Sequence, residues 1–318
     1  MSAWYELKPV DTLFFRGSEP MEAGLLAPST LFPPPVSVIE GAIRTAVLSE
    51  QQLPLSEFGS PGHRLEDKIG VKGGPAPFQV CGIILKKKNV VFIPAPWSWF
   101  VDQPSKSQSK IDVTRSMNRN LPGMPIDPTV ATNLGLATHK GLPLFVQAEH
   151  EAQSMGGKWL ALDQFRRGIN ACEPVSGSEF YDMEERIGIA LDQQRRTVQG
   201  KMYFASHIRL KPDVSIMIGI DRDAGLRDKG LMQLGGEGRL VEYRKTNFSL
   251  ERQDGSQWMS LAPIPATSEV VRHVIATNKL QITAGWDLSV GFHKPTASWI
   301  PAGSVFEKQM HSAMIAIQ

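Results

Sequence analysis

Residues 31–50 read LFPPPVSVIEGAIRTAVLSE, and this stretch predicts an amphipathic helix directly after a run of prolines. Proline cannot continue the interior of a helix, so the run marks a boundary. Ser37 has the side chain of an N-cap, and Glu40, three residues later, completes a capping box. We therefore expect the helix to begin at Val38.

The apolar residues of this helix recur at the spacing of one helical face, namely at Val38, Ile39, Ala42, Ile43, Ala46 and Val47. That face predicts a contact with the core. The unpaired N–H groups and the positive dipole end at the helix start could form an anion-binding site, close in sequence to the FFRGSEP segment of residues 14–20. An ordinary capped surface helix has the same pattern, so an anion site is one of two interpretations.

Length and composition indicate a soluble globular protein with two domains. The chain has 318 residues, and 42% hydrophobic with 21% charged residues suit a folded chain rather than a disordered one. The formal net charge is only +2, which excludes a general electrostatic attraction to nucleic acid and leaves that role to local basic segments. We place the domain boundary in the polar segment 170–179 and predict domains at residues 1–175 and 176–318.

The sequence gives no indication of a metal, a cofactor or a membrane segment. Cys81 and Cys172 show no metal-ligand spacing and are too few for a disulfide framework. The first residues lack the pattern of a signal peptide, and no window approaches 18 uninterrupted apolar residues. We expect a cytoplasmic protein without a membrane span.

The second half of the chain shows the alternation of antiparallel strands. Apolar residues at every second position predict three strands with one buried face, marked by Ile187, Ile189 and Leu191, by Met202, Phe204, Ile208 and Leu210, and by Val214, Ile216, Ile218 and Ile220. The loop of residues 193–200 joins the first two strands and places Arg195 and Arg196 at its tip. Two adjacent arginines on a projecting hairpin suit phosphate contact, although exposed arginines often only keep a protein in solution.

A glycine-rich segment follows, with Gly235, Gly236 and Gly238 before Arg239. Residues without Cβ let backbone N–H groups approach an anion closely, and an adjacent arginine adds charge. The segment lacks the GxGxxG spacing and the lysine of a P-loop, so it does not support nucleotide hydrolysis. A tight turn between a short helix at residues 223–234 and the following strand accounts for it equally well.

Residues 103–120 form a basic stretch that is almost free of apolar side chains. We predict that it is mobile unless a partner orders it, and we leave open whether it binds a polyanion or only aids solubility. The seven histidines show no HExxH motif, and the carboxylates form no readable pair. The residues alone therefore do not indicate an enzyme.

Four segments together resemble one known family. They are FFRGSEP with STLFPPPVSVIEGAIRTA (residues 14–20 and 29–46), ERIGIALDQQRRTVQGKMYFASHIRL (185–210), LGGEGRLVEY (234–243) and GWDLSVGFHKPTASWIPAGSVFE (285–307). In this order they resemble the RAMP superfamily, and within it the Cas five-like subunit of the type III-B CRISPR effector (Cmr) complex, which caps the 5′ tag of the crRNA.

The resemblance implies an α+β fold of tandem ferredoxin-like (RRM-like) modules with antiparallel sheets, a glycine-rich loop and a projecting β-hairpin. It implies a non-catalytic role in antiviral defence, in which the subunit binds the crRNA 5′ tag and contacts the large Cas ten-type polymerase/HD subunit. A Cas seven-like backbone subunit and, indirectly, the target RNA are further expected partners. The RNA contacts that we predict are Arg16, Ser37, Arg44, Arg195, Arg196, Gly235, Gly236, Gly238 and Arg239.

Three alternatives stay open at this point. Arg44 could instead form an i,i+4 pair with Glu40. The chain could be a RAMP-type endoribonuclease that trims crRNA precursors with a histidine as general base. It could also be an assembly scaffold that contacts only proteins. Aromatic residues of the kind on which RRM sheets stack bases are not evident on the predicted strands, so we expect loops to bind the RNA.

Overall fold

The structure is a computed structural model that describes residues 2–17, 30–103, 119–125, 144–145, 148, 151–251, 254–284, 286–287, 292–293 and 295–317. The predicted mobile segment 103–120 lies mostly outside the described residues, as do Ser29 and residues 18–20 of the N-terminal motif. In the part of the chain that is described, no helix is long and apolar enough to cross a membrane.

Short strands dominate the described residues, and helices are few. The helices are α1 (Val36–Glu50), α2 (Leu55–Phe58), α3 (Glu66–Ile69), α4 (Leu162–Arg166) and α5 (Ser268–Val271), with 3-10 turns at Ile169–Ala171 and Gly177–Glu179. The strands are β1 (Ala3–Pro9), β2 (Val80–Lys87), β3 (Val90–Pro94), β4 (Trp99–Gln103), β5 (Arg119–Pro122), β6 (Met124–Pro125), β7 (Leu144–Phe145), β8 (Glu151–Ser154), β9 (Trp159–Ala161), β10 (Tyr181–Leu191), β11 (Thr197–Leu210), β12 (Val214–Ile220), β13 (Lys229–Gln233), β14 (Leu240–Thr246), β15 (Gln257–Ser260), β16 (Ile264–Pro265), β17 (Val274–Ala276), β18 (Gln281–Thr283), β19 (Trp286–Asp287), β20 (Phe292–His293), β21 (Ala297–Ile300), β22 (Val305–Phe306) and β23 (Met314–Ile317).

The chain divides into two compact units, each built from three segments. The first unit contains Met1–Lys88, Ser178–Leu250 and Ile282–Ser298, and the second contains Asn89–Gly177, Glu251–Gln281 and Trp299–Gln318. The predicted contiguous domains 1–175 and 176–318 are a different division and stay a prediction. The α+β class with mostly antiparallel sheets is confirmed, whereas tandem ferredoxin-like modules stay a prediction.

In the first unit, five strands lie side by side in the order β13-β14-β1-β12-β2, all antiparallel. Helix α1 covers one face, onto which it buries Ile39, Ile43 and Val47. On the other face, the Trp4 ring fills the space above Gly82 and Gly219, where an added Cβ would come within 2.5 and 2.7 Å of it. These contacts give the unit its core, since each fully buried aliphatic side chain contributes about 1.5–3 kcal/mol.

The start of α1 corrects the expected cap. The helix begins at Val36 with Pro35 as N-cap and without a side-chain capping bond, so Ser37 is not the N-cap and Glu40 closes no capping box. The physical reason is that the φ of Pro35, −58°, already suits a helix start, and its carbonyl accepts hydrogen bonds from the N–H groups of Val38 and Ile39. Val36 is buried and extends the apolar face by one turn.

Strands β10 and β11 form a long two-stranded hairpin, as predicted, but its turn is at residues 192–196 rather than 193–200. The expectation that its apolar residues share a buried face is wrong for β10, because Ile187 and Ile189 are half or more exposed. The two strands form a separate two-stranded sheet, and within the described chain no further layer covers these two side chains. Strand β12, in contrast, is buried along its whole length.

Residues 229–233 form a strand where the sequence predicted a helix. The short helix predicted at residues 223–234 is absent, and β13 pairs with β14 in its place. Gly230 explains the preference, since glycine weakens a helix and here leaves room for the ring of Tyr243, which would lie 2.7 Å from an added Cβ.

The second unit contains several small sheets. Strand β15 lies between β22 and β23, β4 lies between β5 and β8, and β3 pairs with β9. Its apolar core includes Ile264, Ile300, Phe306 and Met314, while Trp99 stacks on Phe165 at a centroid distance of 5.4 Å. None of the predicted RNA-contact residues belongs to this unit, so the site is described within the first unit.

Candidate functional site

Three segments that are distant in sequence meet at the base of the hairpin. The N–H of Gly236 donates to the carbonyl of Phe14 at 2.8 Å, and Leu13 and Ile208 exchange two backbone hydrogen bonds of 2.8 Å. The Phe14 ring also stacks on His207 at a centroid distance of 5.1 Å. The glycine-rich loop, strand β11 and the segment after β1 are therefore fixed to one another.

The glycine-rich loop has the backbone that its sequence favours. Gly235 has a φ of +87° and Gly238 a φ of +64°, and both values are unfavourable for residues with a Cβ. A Cβ at Gly235 would lie 2.4 Å from the Phe14 carbonyl oxygen. Gly235 thus lets the loop pack closely against the backbone of Phe14. The Leu234 N–H donates to the carbonyl of Arg239 at 2.8 Å and closes the turn.

The carboxylate of Asp11 lies at the centre of an arginine cluster. It contacts Arg186 at 3.3 Å, Arg209 at 3.1 Å and Arg239 at 3.1 Å. The three arginines come from β10, β11 and the glycine-rich loop, so one side chain joins all three elements. We call these four residues, with Glu184 and Glu237, the base cluster.

Glu184 and Glu237 complete the base cluster. Glu184 accepts from Arg209 Nε at 2.6 Å and from Arg186 Nη2 at 2.7 Å, and Glu237 accepts from Arg239 Nη2 at 2.9 Å. Hydrogen bonds from Arg209 and then Arg186 hold the pKa of Glu184 below its usual value, and the pKa of Asp11 is lowered first by the Thr12 backbone N–H. Three guanidinium groups thus face three carboxylates, and Arg239, with 19% of its side chain exposed, is already paired.

His207 lies beneath the base cluster and is fully buried. Its Nδ1 is 3.0 Å from the Thr12 hydroxyl oxygen, while Nε2 is 3.5 Å from Glu237 and has no hydrogen-bond partner within the described chain. Burial lowers the pKa of His207, so the ring is neutral near pH 7. A neutral, enclosed imidazole packs against the Phe14 ring and is shielded from solvent.

The tip of the hairpin is built differently. The Asp192 carboxylate accepts from the N–H groups of Gln194 and Arg196 at 2.9 and 2.8 Å, which fixes the turn and leaves Arg195 with a φ of +61°. The side chains of Arg195 and Arg196 are exposed and form no ion pair among the residues described. Seven steps of β10, at about 3.3 Å each, separate Glu184 of the base cluster from Leu191 at the end of the strand, which is a length of about 23 Å.

Arg44 is held by the chain's own carbonyl groups. Its Nη1 donates to Gly74 O at 3.0 Å, its Nη2 donates to Val71 O, and the guanidinium lies over the Phe58 ring at 5.0 Å. It forms no ion pair with Glu40 in the described structure, although burial raises the pKa of Glu40 to about 7 and the charge of Arg44 partly opposes that rise. Arg44 therefore shapes the loop at residues 71–74.

The remaining predicted contacts lie near the helix start. Arg16 is exposed and forms an isolated antiparallel bridge with Thr30, whose hydroxyl oxygen accepts from the Phe15 N–H at 2.9 Å. Ser37 is exposed in the first turn of α1. Phe32, just before that helix, packs on Tyr181 of β10 at 4.5 Å. Arg16 therefore lies two residues after Phe14, which bonds the glycine-rich loop, whereas Arg44 bonds the loop at residues 71–74.

Sequence reasoning missed most of the base cluster. The signal that could have found it is the alternation of charge on β10 and β11, where Glu184, Arg186 and Arg209 share one face. Asp11 carries no local signal, because its partners are 175 to 228 residues away.

Three other histidines, whose side chains are described, also contact the chain itself. His63 bonds the Gly70 carbonyl at 2.9 Å, His273 pairs with Glu307, and His311 Nδ1 accepts from the Ala313 N–H at 3.1 Å. Among the described residues, no group of three or more His, Cys, Asp or Glu side chains could hold a metal ion.

Comparison with known proteins agrees with the resemblance. The family model described as "CRISPR-associated protein (Cas_Cmr3)" matches residues 5–263. No curated protein sequence matches the chain at a significant level.

Two solved structures illustrate the similarity of fold, and a third has a lower score. A chain of the type III-B Cmr-beta complex bound to cognate target RNA and AMPPNP is 17% identical, with 96% of this chain and 86% of that chain covered and a TM-score of 0.56. A chain of the same type of complex with cognate target RNA has the same identity and coverage and a TM-score of 0.55. A chain of the type III-A Csm3–Csm4 subcomplex is 13% identical. The match covers 99% of this chain and 94% of that chain and has a TM-score of 0.46.

Proposed function

Because this chain belongs to the Cmr3 family and is a type III CRISPR effector subunit, we propose that it holds the 5′ repeat-derived tag of the crRNA without cutting RNA. In the type III-B complex it would also contact the large Cas ten-type subunit and a Cas seven-like backbone subunit. Target RNA would be reached only indirectly, through the paired guide.

One observation carries the RNA-binding proposal. The base cluster anchors a projecting hairpin beside the glycine-rich loop, and the hairpin presents two unpaired arginines at its tip. Guanidinium groups bind phosphate with two parallel hydrogen bonds, and a rigid ribbon loses little entropy when it binds. In this proposal the hairpin is formed before binding, and the arginines at its tip bind the phosphates of the RNA.

The roles of the predicted contact residues divide accordingly. Arg195, Arg196 and Arg16 are exposed cations suited to direct phosphate contact. Gly235 and Arg239 act as positioning residues, since they fix the loop against Phe14 and Asp11. In this proposal a single-stranded tag is recognised through its backbone and phosphates, with its bases splayed into shallow pockets.

A non-catalytic role is supported by the histidines. A general base toward a ribose 2′-hydroxyl must lie within hydrogen-bond reach of the substrate. Among the histidines whose side chains are described, His207 is fully buried, and His63, His273 and His311 are engaged with their own chain. We therefore propose that RNA cleavage belongs to other subunits.

The salt dependence of RNA affinity tests the proposed contacts. We expect Arg195→Ala/Arg196→Ala to weaken binding of a single-stranded tag RNA and to reduce its log-log salt slope by about 1.4, because each lost phosphate contact contributes about 0.7. The adjacent exposed arginines of α4 and its C-cap provide a matched control, and Arg166→Ala/Arg167→Ala should leave both quantities unchanged. Equal slopes for wild type and the tip variant would exclude these contacts.

Two rival functions have distinct outcomes. Repeat RNA incubated with the protein and a chelator should remain intact, and cleavage that a single His→Ala change abolishes would instead identify an endoribonuclease. A protein that assembles with its partner subunits yet never contacts the tag would be a scaffold only.

A further inference from the structure

The sheet of the first unit leaves part of one face uncovered. On β13, β14 and β1, directly opposed residues form three rows on that face, which are Lys229, Arg244 and Glu6; Leu231, Glu242 and Lys8; and Gln233, Leu240 and Val10. Helix α1 covers the opposite face of β13. Strand β13 is the terminal strand of the sheet, so the uncovered face ends at an open edge.

The hydrogen-bond pattern shows which backbone groups point out of that edge. Lys245 N bonds Asp228 O at 2.6 Å and Leu234 N bonds Arg239 O at 2.8 Å, so these pairs are of the hydrogen-bonded type. Bonded and non-bonded pairs alternate in an antiparallel ladder. The N–H and C=O groups of Lys229, Leu231 and Gln233 therefore point away from β14, and we find no partner for them among the described residues.

The charges on the uncovered face are unbalanced near this edge. Lys229 lies directly opposite Arg244, an arrangement of like charges that destabilises a sheet. Glu6 cannot offset it, because its carboxylate is bonded to Lys86 at 3.0 Å and to Ser215 at 2.8 Å. Two adjoining cavities of about 550 and 500 Å³ share Lys229 and Arg244 in their walls.

Apolar side chains lie beside these cations. Leu231 is 58% exposed, Leu240 45% and Val10 64%. Native proteins usually protect an open strand edge, and an exposed leucine flanked by unpaired backbone groups is the opposite arrangement. An edge of this kind is suited to an additional strand.

We propose that β13 accepts a β-strand from a partner subunit of the effector complex, which extends the sheet by one strand. The partner strand carries a carboxylate opposite Lys229, within reach of Arg244, and an apolar side chain opposite Leu231. This inference rests on the proposed function only in that the chain docks other subunits. A protein strand fits better than RNA, because none of the nine positions on this face is aromatic and the backbone of a strand matches a row of outward N–H and C=O groups.

Hydrogen–deuterium exchange tests the proposal in the isolated chain and in the assembled complex. In the isolated chain, the amides of Lys229, Leu231 and Gln233 should exchange faster than those of Gly230 and Met232, which point toward β14. In the complex, the outward amides should slow by about tenfold or more as they donate to the partner strand. Outward amides that exchange equally fast in both states would overturn the proposal.

A matched pair of variants gives a second readout. Leu231→Pro removes an outward N–H without removing a bond to β14, whereas Leu231→Val keeps the N–H and an apolar side chain. The proline variant should assemble poorly with the partner subunits, the valine variant should assemble normally, and both should bind tag RNA like wild type. Equal assembly of the two variants would contradict strand docking, and a loss of RNA binding in the proline variant alone would identify this face as an RNA surface instead.

Discussion

The hairpin β10–β11 holds its arginines in opposite ways at its two ends. At the base, three arginines share the carboxylate of Asp11 and have two further glutamates as partners. At the tip, the side chains of Arg195 and Arg196 are exposed and form no ion pair with a carboxylate among the described residues. The base therefore fixes the direction of the hairpin, and the tip keeps charge available for a ligand.

An arginine in a predicted RNA site can therefore have one of two roles, a structural role or direct contact with phosphate. A guanidinium that is already bonded to carboxylates gains little from a phosphate, because the new contact replaces an existing one. An exposed, unpaired guanidinium gains the full contact and releases counterions. The four predictions below test the division, beginning with the largest expected effect on stability.

The largest effect is expected at the base. Gly235→Ala should lower the free energy of unfolding by about 2–4 kcal/mol, because its Cβ would overlap the Phe14 carbonyl at a positive φ. Gly238→Ala is the matched control, since it has a positive φ but only the distant Gln233 amide at 3.8 Å, and it should cost about 1 kcal/mol. Chemical denaturation measures both, and equal losses would show that the loop is not seated on Phe14.

Glu40 contrasts with the carboxylates of the base cluster. The pKa values of Asp11 and Glu184 in that cluster are lowered, whereas burial raises the pKa of Glu40 to about 7. A folded-state pKa above the unfolded value means that stability is lost as the pH rises from about 4.5 through 7. Glu40→Gln should therefore raise the free energy of unfolding at pH 8 by on the order of 1 kcal/mol and have little effect at pH 5. A gain that is independent of pH would contradict the burial of this carboxyl.

Arg239 should behave as a structural residue. Arg239→Ala should lower the free energy of unfolding by about 1 kcal/mol, since it removes bonds to Asp11 and Glu237 from a mostly buried side chain. Arg239→Lys keeps the charge but not the two-sided contact and should recover part of that loss. If Arg239→Ala instead leaves stability intact and flattens the salt dependence of RNA binding, Arg239 contacts phosphate directly.

The tip should have the smallest effect on stability. Arg195→Ala/Arg196→Ala should change the free energy of unfolding by less than about 0.5 kcal/mol, as is usual for exposed side chains without partners. Thermal unfolding of this variant and wild type should therefore coincide, even though their RNA affinities differ. A destabilised tip variant would mean that these arginines belong to the fold.

Local patterns in the sequence were sufficient for much of the fold. Alternation predicted the antiparallel strands β10, β11 and β12 and placed Arg195 and Arg196 at the hairpin tip. The proline run predicted α1 but not its first residue. Ser37 has the side chain and spacing of an N-cap, yet Pro35 is the N-cap, and its carbonyl accepts the first hydrogen bonds of the helix. The helix expected at residues 223–234 failed because pairing with β14 outweighed local preference.

The site was less accessible to sequence reasoning. Glycine and arginine in the loop were visible as a motif, but the use of Arg239 depends on Asp11, 228 residues away. Likewise, Arg44 has a clear i,i+4 neighbour in Glu40, yet it bonds carbonyl groups of a loop whose path no local pattern specifies. Whether an arginine side chain is available to a ligand depends on partners that are distant in sequence, and these partners are known only once the chain is folded.

Crosslinking of the crRNA tag in the assembled complex tests the central claim most directly. A guide with photoreactive nucleotides in its 5′ tag should crosslink to this chain, at residues 193–197 of the hairpin tip and near the 235–239 loop. A fully assembled complex whose tag crosslinks only to other subunits would contradict the account.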